Sequence, residues 1–82
     1  MCMTILFFGR LSDRFGPQIT CDLPDGIDDL AALTAWLEHR HDAEGLLTEP
    51  SIKVMVDKVL VHDNPKLKGG EEIGFLPPVG GG

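Results

Sequence analysis

Positive charge is scarce in this chain. Seven Lys and Arg stand against thirteen Asp and Glu over 82 residues, a formal net charge of -6. A nucleic-acid binder needs a basic footprint to displace counterions, and an anionic membrane surface attracts the same footprint. Neither kind of partner is expected. Cysteine is scarce as well: Cys2 and Cys21 form no C-x-x-C pair and no zinc-ligand spacing. Long apolar runs are missing. The longest near the start, Ile5-Leu6-Phe7-Phe8, stops at Gly9-Arg10. That is too short for a secretory signal core or a bilayer span. The chain therefore reads as cytoplasmic, with its thiols in a reducing compartment.

The usual catalytic patterns are also missing. No Ser-His-Asp or Cys-His arrangement stands out, and Gly69-Gly70 precedes a strand, not the helix that a phosphate loop requires. His39 and His41 are two apart and point to different helix faces, and no ligand cluster joins them or His62. They read as surface histidines, and no metal site is expected. Glu71-Glu72 reads as a solvated or partner-facing strand edge rather than a catalytic dyad. Tyrosine is absent altogether, and nothing follows from that.

What remains is an ordinary small globule. A hydrophobic share of 43% with 24% charged residues is enough to fold. Eighty-two residues allow one domain. Such a domain buries only about 60% of its unfolded surface, so each apolar face has to contribute.

Residues 2–8 are apolar on both faces and rich in strand formers, with Ile5 and Phe7 on one side and Leu6 and Phe8 on the other. Residues 9–17 read as a loop with a helical turn at Leu11 to Phe15. Residues 18–23 alternate as a half-buried strand. If the two strands pair as a hairpin, Cys2 and Cys21 become cross-strand neighbours. The main helix is expected from Asp28 to His41, with Asp28 as its cap, Asp29 in the first turn, and Leu30, Leu33 and Leu37 as the buried stripe. Trp36 is expected at the helix edge. After a loop over 42–50, Ile52 to Val56 and Val59-Leu60-Val61 form a hairpin about Asp57-Lys58. Glu71 to Leu76 is the last strand, and Pro77-Pro78 ends it. This order suggests an α+β fold: a mixed sheet of about five strands with one main helix on one face, first and last strands side by side.

The tail carries the chemistry. Residues 1–76 make the domain and 77–82, Pro77-Pro78-Val79-Gly80-Gly81-Gly82, make an extension that cannot pack. Two prolines hold its base extended. Three glycines leave a thin thread able to enter a narrow channel. The one reactive group this thread delivers is the carboxylate of Gly82. Once activated, for example as an acyl-adenylate, it becomes a good acyl donor, and sulfur transfer to it leaves a nucleophilic thiocarboxylate. A frayed or adventitious glycine tail is the plain alternative.

The ending Phe75-Leu76-Pro77-Pro78-Val79-Gly80-Gly81-Gly82 resembles the tail of the small subunit of molybdopterin synthase, a ubiquitin-like sulfur carrier. Leu6-Phe7-Phe8-Gly9-Arg10-Leu11 resembles that family's first strand, and the segments from Val56-Asp57-Lys58 to Gly70-Glu71-Glu72-Ile73 resemble its last third. Gly80 departs from the small non-glycine residue often found there. The resemblance implies a β-grasp fold. It implies that an E1-like adenylating enzyme activates Gly82 with ATP and that a sulfur donor makes the thiocarboxylate. The large synthase subunit then takes the tail, and sulfur passes to cyclic pyranopterin monophosphate in molybdenum cofactor biosynthesis. Two small and two large subunits are implied as the assembly. The chain would be a subunit of a sulfurtransferase, not catalytic alone, and would bind no cofactor of its own.

Gly81 is implied as the second glycine of the motif. Phe8, Leu60, Phe75, Leu76, Pro77, Pro78 and Val79 are implied as partner contacts. From alternation alone, Phe8, Leu60 and Leu76 either dock a partner or complete the core. Three other roles stay open: a carrier for thiamine or tRNA thiolation, a ubiquitin-like modifier joined to lysines, and an interaction module with an inert tail.

Overall fold

The computed structural model describes residues 2–78. Among these residues five strands and two helices follow one another: β1 (Cys2–Phe7), α1 (Leu11–Phe15), β2 (Gln18–Asp22), α2 (Leu30–Arg40), β3 (Lys53–Val56), β4 (Val59–Val61) and β5 (Glu72–Leu76). The sheet order is β2-β1-β5-β3-β4. β1 and β5 are parallel neighbours at the centre, and the other three pairings are antiparallel. With α2 packed across one face, this is the expected β-grasp.

Period-two alternation decides which side chains meet the helix. Met3, Ile5 and Phe7 of β1 and Ile73 and Phe75 of β5 point to it, and all five are buried. They form one cluster with Leu30, Leu33 and Leu37 of α2, the stripe expected from i, i+3, i+7 spacing. Leu11 and Phe15 of α1 close the same cluster. The rings of Phe15 and Phe75 stack on Phe7 at centroid distances of 4.6 and 5.6 Å. Trp36 packs half-buried against this core, with the Arg40 guanidinium 5.3 Å from its ring centroid.

Several boundaries differ from the sequence expectation. Asp29, not Asp28, caps α2: its backbone is extended and its side chain accepts a 2.8 Å hydrogen bond from the Ala32 amide. That bond is the main cause holding the Asp29 carboxyl below the ordinary range. Asp28 is occupied otherwise, its carbonyl accepting from the Leu67 amide and its carboxylate lying 3.8 Å from Lys66 Nζ. The 62–68 loop satisfies two more amides of the helix start, through Asn64 Oδ1 to Ala31 and the Pro65 carbonyl to Leu30. At the other end the Arg14 guanidinium donates to the carbonyls of His41 and Asp42.

β5 starts at Glu72; just before it the Glu71 carboxylate turns back to accept the amides of Lys68 and Gly69, both at 2.8 Å. β3 starts at Lys53, since the Ile52 amide is drawn into a turn by the Glu49 carbonyl. The Asp57-Lys58 hairpin stands as expected, with both residues at positive φ (50° and 70°).

The two cysteines are not a facing pair. Cys21 stands opposite Met3, and Cys2 opposite Asp22. A one-residue offset puts the thiols on opposite faces of the sheet, and both are free.

Candidate functional site

Among the described residues no helix lies over the face of the sheet away from α2, so its register can be read as a grid. At the end where β5 runs out, Phe8 follows β1, Leu76 closes β5, and Lys53 of β3 stands opposite Leu76. One row further in come Gln18, Leu6, Gly74, Met55 and Leu60, one from each strand. The next row holds Thr20, Thr4 and Glu72, and beyond it lie Asp22 and Cys2. Rows are two residues, about 7 Å, apart.

The two rows nearest the tail form an apolar patch. Phe8 is 40% exposed and Leu60 52% exposed, while Leu6, Met55 and Leu76 are half-buried. Gly74 is the floor. A Cβ built on it would lie 3.4 Å from Phe8 Cε2 and 3.3 Å from Met55 Cε. The Phe8 ring and the Met55 side chain therefore lie across β5 from either side, as close as a bare backbone allows. Of the four large apolar side chains that are exposed among the described residues, Phe8 and Leu60 stand on this open face, while Leu46 and Val59 lie elsewhere.

Phe8, Leu60 and Leu76 thus share the open face, with Leu60 on the edge strand β4, three strands from Phe8. Phe75 is not among them. It is 0% exposed, because it pairs with Phe7 on the helix side of the sheet. Grouping it with Leu76 ignored the alternation that puts neighbours on opposite faces. Met55 and Gly74 were missed. The signal for Met55 was available, since Lys53-Val54-Met55-Val56 alternates and Met55 shares a side with Lys53. For Gly74 no local signal existed.

The stem of the tail leaves from the same end as the patch. The parallel ladder runs on to a 3.1 Å bond from the Phe8 amide to the Phe75 carbonyl. Pro77 then rests against Gly9, whose φ is +55° and whose added Cβ would lie 2.9 Å from Pro77 Cγ. Pro77 is half-buried and Pro78 exposed. Val79, Gly80, Gly81 and Gly82, assigned from sequence to docking and to the sulfur-bearing end, lie outside the described residues.

Among the described residues no cavity forms, and no group of three or more His, Cys, Asp or Glu is placed to hold a metal. His39 and His62 are exposed, and His41 sets its ring edge against Phe15 at 5.1 Å. Glu71 and Glu72 do not converge: the first staples a turn, and the second stands on the open face. No helix among the described residues is long and apolar enough to cross a membrane.

The chain matches the ThiS family over residues 5–82, most of its length. It belongs to the ThiS family. The ThiS-family chain is similar to solved structures along its whole length. Small archaeal modifier protein 1 from Haloferax volcanii superposes with a TM-score of 0.81 at 22% identity, covering 100% of both chains. The protein of the same name from Methanosarcina acetivorans gives 0.71 at 20% identity, covering 99% of this chain and 96% of that one. At 26% identity and a TM-score of 0.68, with 100% of each chain covered, lies a chain from the complex of subunits 1 and 2 of the molybdopterin-converting factor of Helicobacter pylori 26695. Comparison with curated proteins gave no match. The fold is therefore that of ubiquitin-like sulfur carriers and modifiers, with a converting-factor subunit among the similar structures.

Proposed function

We propose that this chain is the sulfur-carrier subunit of a molybdopterin synthase. An E1-like enzyme attacks ATP with the Gly82 carboxylate, releasing pyrophosphate and leaving the acyl-adenylate. A sulfur donor then displaces AMP and leaves the thiocarboxylate. The loaded tail enters the large subunit, in a heterotetramer of two carriers and two large subunits, and its sulfur passes to cyclic pyranopterin monophosphate. Gly82 is a cargo site, and the catalytic side chains belong to the partners. Gly81 and Gly80 let the backbone pass close to those partners, and Pro77-Pro78-Val79 form the stem.

The observation that carries this reading is one of placement. The Phe8–Leu6–Leu76–Met55–Leu60 patch lies at the end of the sheet from which the Pro-Pro stem departs. A partner seated on the patch is therefore positioned to receive the tail. The similarity to a subunit of a converting-factor complex supports the choice of pathway. The similarity to small archaeal modifier proteins supports a second reading, in which Gly82 is joined to lysine amines. Thiamine and tRNA thiolation remain the alternative sulfur pathways.

Co-expression with the adenylating enzyme of the same genome, followed by intact-mass analysis, tests the proposal. A gain of about 16 Da marks replacement of one carboxylate oxygen by sulfur on an activated acyl group. An unchanged mass with an intact C-terminus refutes sulfur carriage, and Gly82 found in isopeptide bonds selects the modifier reading.

A further inference from the structure

Gly9, Gly16, Gly26 and Gly45 all have positive φ, from 55° to 86°. A Cβ added to any of the last three would meet nothing within 4 Å. On Gly9 it would lie 2.9 Å from Pro77 Cγ and 3.7 Å from Pro77 Cδ. Backbone conformation is not what requires glycine there. Asp42, Asp57 and Lys58 hold φ of 53°, 50° and 70° in the same chain, so a side chain is tolerated at that angle. The prolyl ring is the obstacle, because a ring closed on its own backbone cannot swing aside as the end of a long side chain would.

Both sides of this contact are held in place. The Gly9 carbonyl accepts from the Ser12 hydroxyl at 2.8 Å and from the Ser12 amide at 3.1 Å, and the Leu11 amide donates to the Phe8 carbonyl at 3.1 Å. Leu11 is buried in the core, so the turn after β1 is anchored to it. On the other side, the bond from the Phe8 amide to the Phe75 carbonyl fixes the end of β5. Pro77 has its own φ locked by its ring. Leu76 and Pro77 each precede a proline and are therefore restricted to extended backbone. The heading taken at Pro77 is thus passed to Pro78 with little bending. We propose that Gly9 is a positioning residue for the tail. By giving Pro77 a bare backbone to lie on, it sets the direction in which the stem leaves the sheet, beside the turn that follows β1, and so the direction in which Gly82 is offered for activation. The inference rests on the carrier function proposed above.

Pyrophosphate release by the adenylating enzyme of the same genome, measured over a range of carrier concentrations, tests this. Gly9→Ala should lower kcat/KM for the carrier about tenfold, the scale of the one residue of backbone freedom that entry of the tail would then have to remove. Gly9→Asn suits a φ of 55° better than alanine but brings the same Cβ, so it should lose as much activity while melting at a higher temperature. Gly26→Ala places a Cβ at a φ of +85° in open space. It should lower the melting temperature yet leave kcat/KM within about twofold of wild type. Pro77→Ala removes Cγ and Cδ and should itself lower kcat/KM. Adding Gly9→Ala to it should change little further, because the two residues act through one contact. Thermal melts verify that each variant is folded. A Gly9→Ala carrier activated as well as wild type overturns the inference and leaves the carrier function standing. An equal loss in Gly26→Ala also overturns it, since strain alone would then explain the effect. Losses that multiply in the double variant overturn it as well. No activation of the wild-type chain overturns the carrier function and the inference with it.

Discussion

Glu38 is a buried carboxylate whose loss should be felt throughout the domain. It is 7% exposed on the core side of α2. Its Oε2 accepts three hydrogen bonds from the loop that leads to β3: the Leu47 amide at 2.8 Å, the Thr48 amide at 3.0 Å and the Thr48 hydroxyl at 3.2 Å. Glu38→Ala removes the acceptor and leaves both amides behind. Leu47 is buried, so its amide has no ready access to water, and a stranded buried donor costs about 1–3 kcal/mol. The Thr48 side reaches solvent and recovers most of its loss. Against these stands the desolvation of the carboxylate, which the variant no longer bears. The net cost is about 3 kcal/mol, set by the Leu47 amide and the lost charge-assisted bonds. A chain of this length has about 4–12 kcal/mol in total. The midpoint of thermal unfolding should fall by about 12–24 °C, at roughly 4–8 °C per kcal/mol. Glu38→Gln keeps an oxygen for the same amides and should lose about 1 kcal/mol, the difference between a charged and a neutral acceptor. Urea unfolding followed by fluorescence of Trp36, the only tryptophan, measures both. A Glu38→Ala variant within about 0.5 kcal/mol of wild type would refute the claim that this carboxylate anchors the loop.

The two phenylalanines of the β1–β5 ladder should separate stability from contact. Phe75→Ala empties the stacked core and should cost about 3–5 kcal/mol in urea unfolding, whereas Phe8→Ala, 40% exposed, should cost under about 1 kcal/mol. Equal losses would contradict the assignment of the two rings to opposite faces. The cysteines should separate by reactivity. Burial, the largest influence on it, pushes the Cys21 thiol up, with Arg40 opposing and Asp22 and Cys2 adding to the rise. Maleimide at neutral pH should therefore label exposed Cys2 first, and the order should vanish in urea. Prior labelling of Cys21 would show that β2 leaves the sheet.

The sequence by itself determined the local features of this protein. Alternation along Met3 to Phe8 sorted that strand's two faces. Leu30, Leu33 and Leu37 announced the buried stripe of α2, Asp57-Lys58 announced a tight hairpin, and Pro77-Pro78 announced the end of β5. Each of these depends on bond geometry and side-chain period within a few residues. What only the tertiary structure decided are relations between distant segments. The Asp28–Lys66 and Asp28–Leu67 contacts moved the helix cap to Asp29. The register of β2 on β1 put Cys2 and Cys21 on opposite faces. Glu38 found its partners nine and ten residues on, in a loop with no regular structure to predict them. Phe75 went to the core and Gly74 became the floor of the patch, because β5 lies between β1 and β3 and its neighbours choose what covers each face. Pairing partners are set by burying the whole sheet at once, and no window of the chain contains that information.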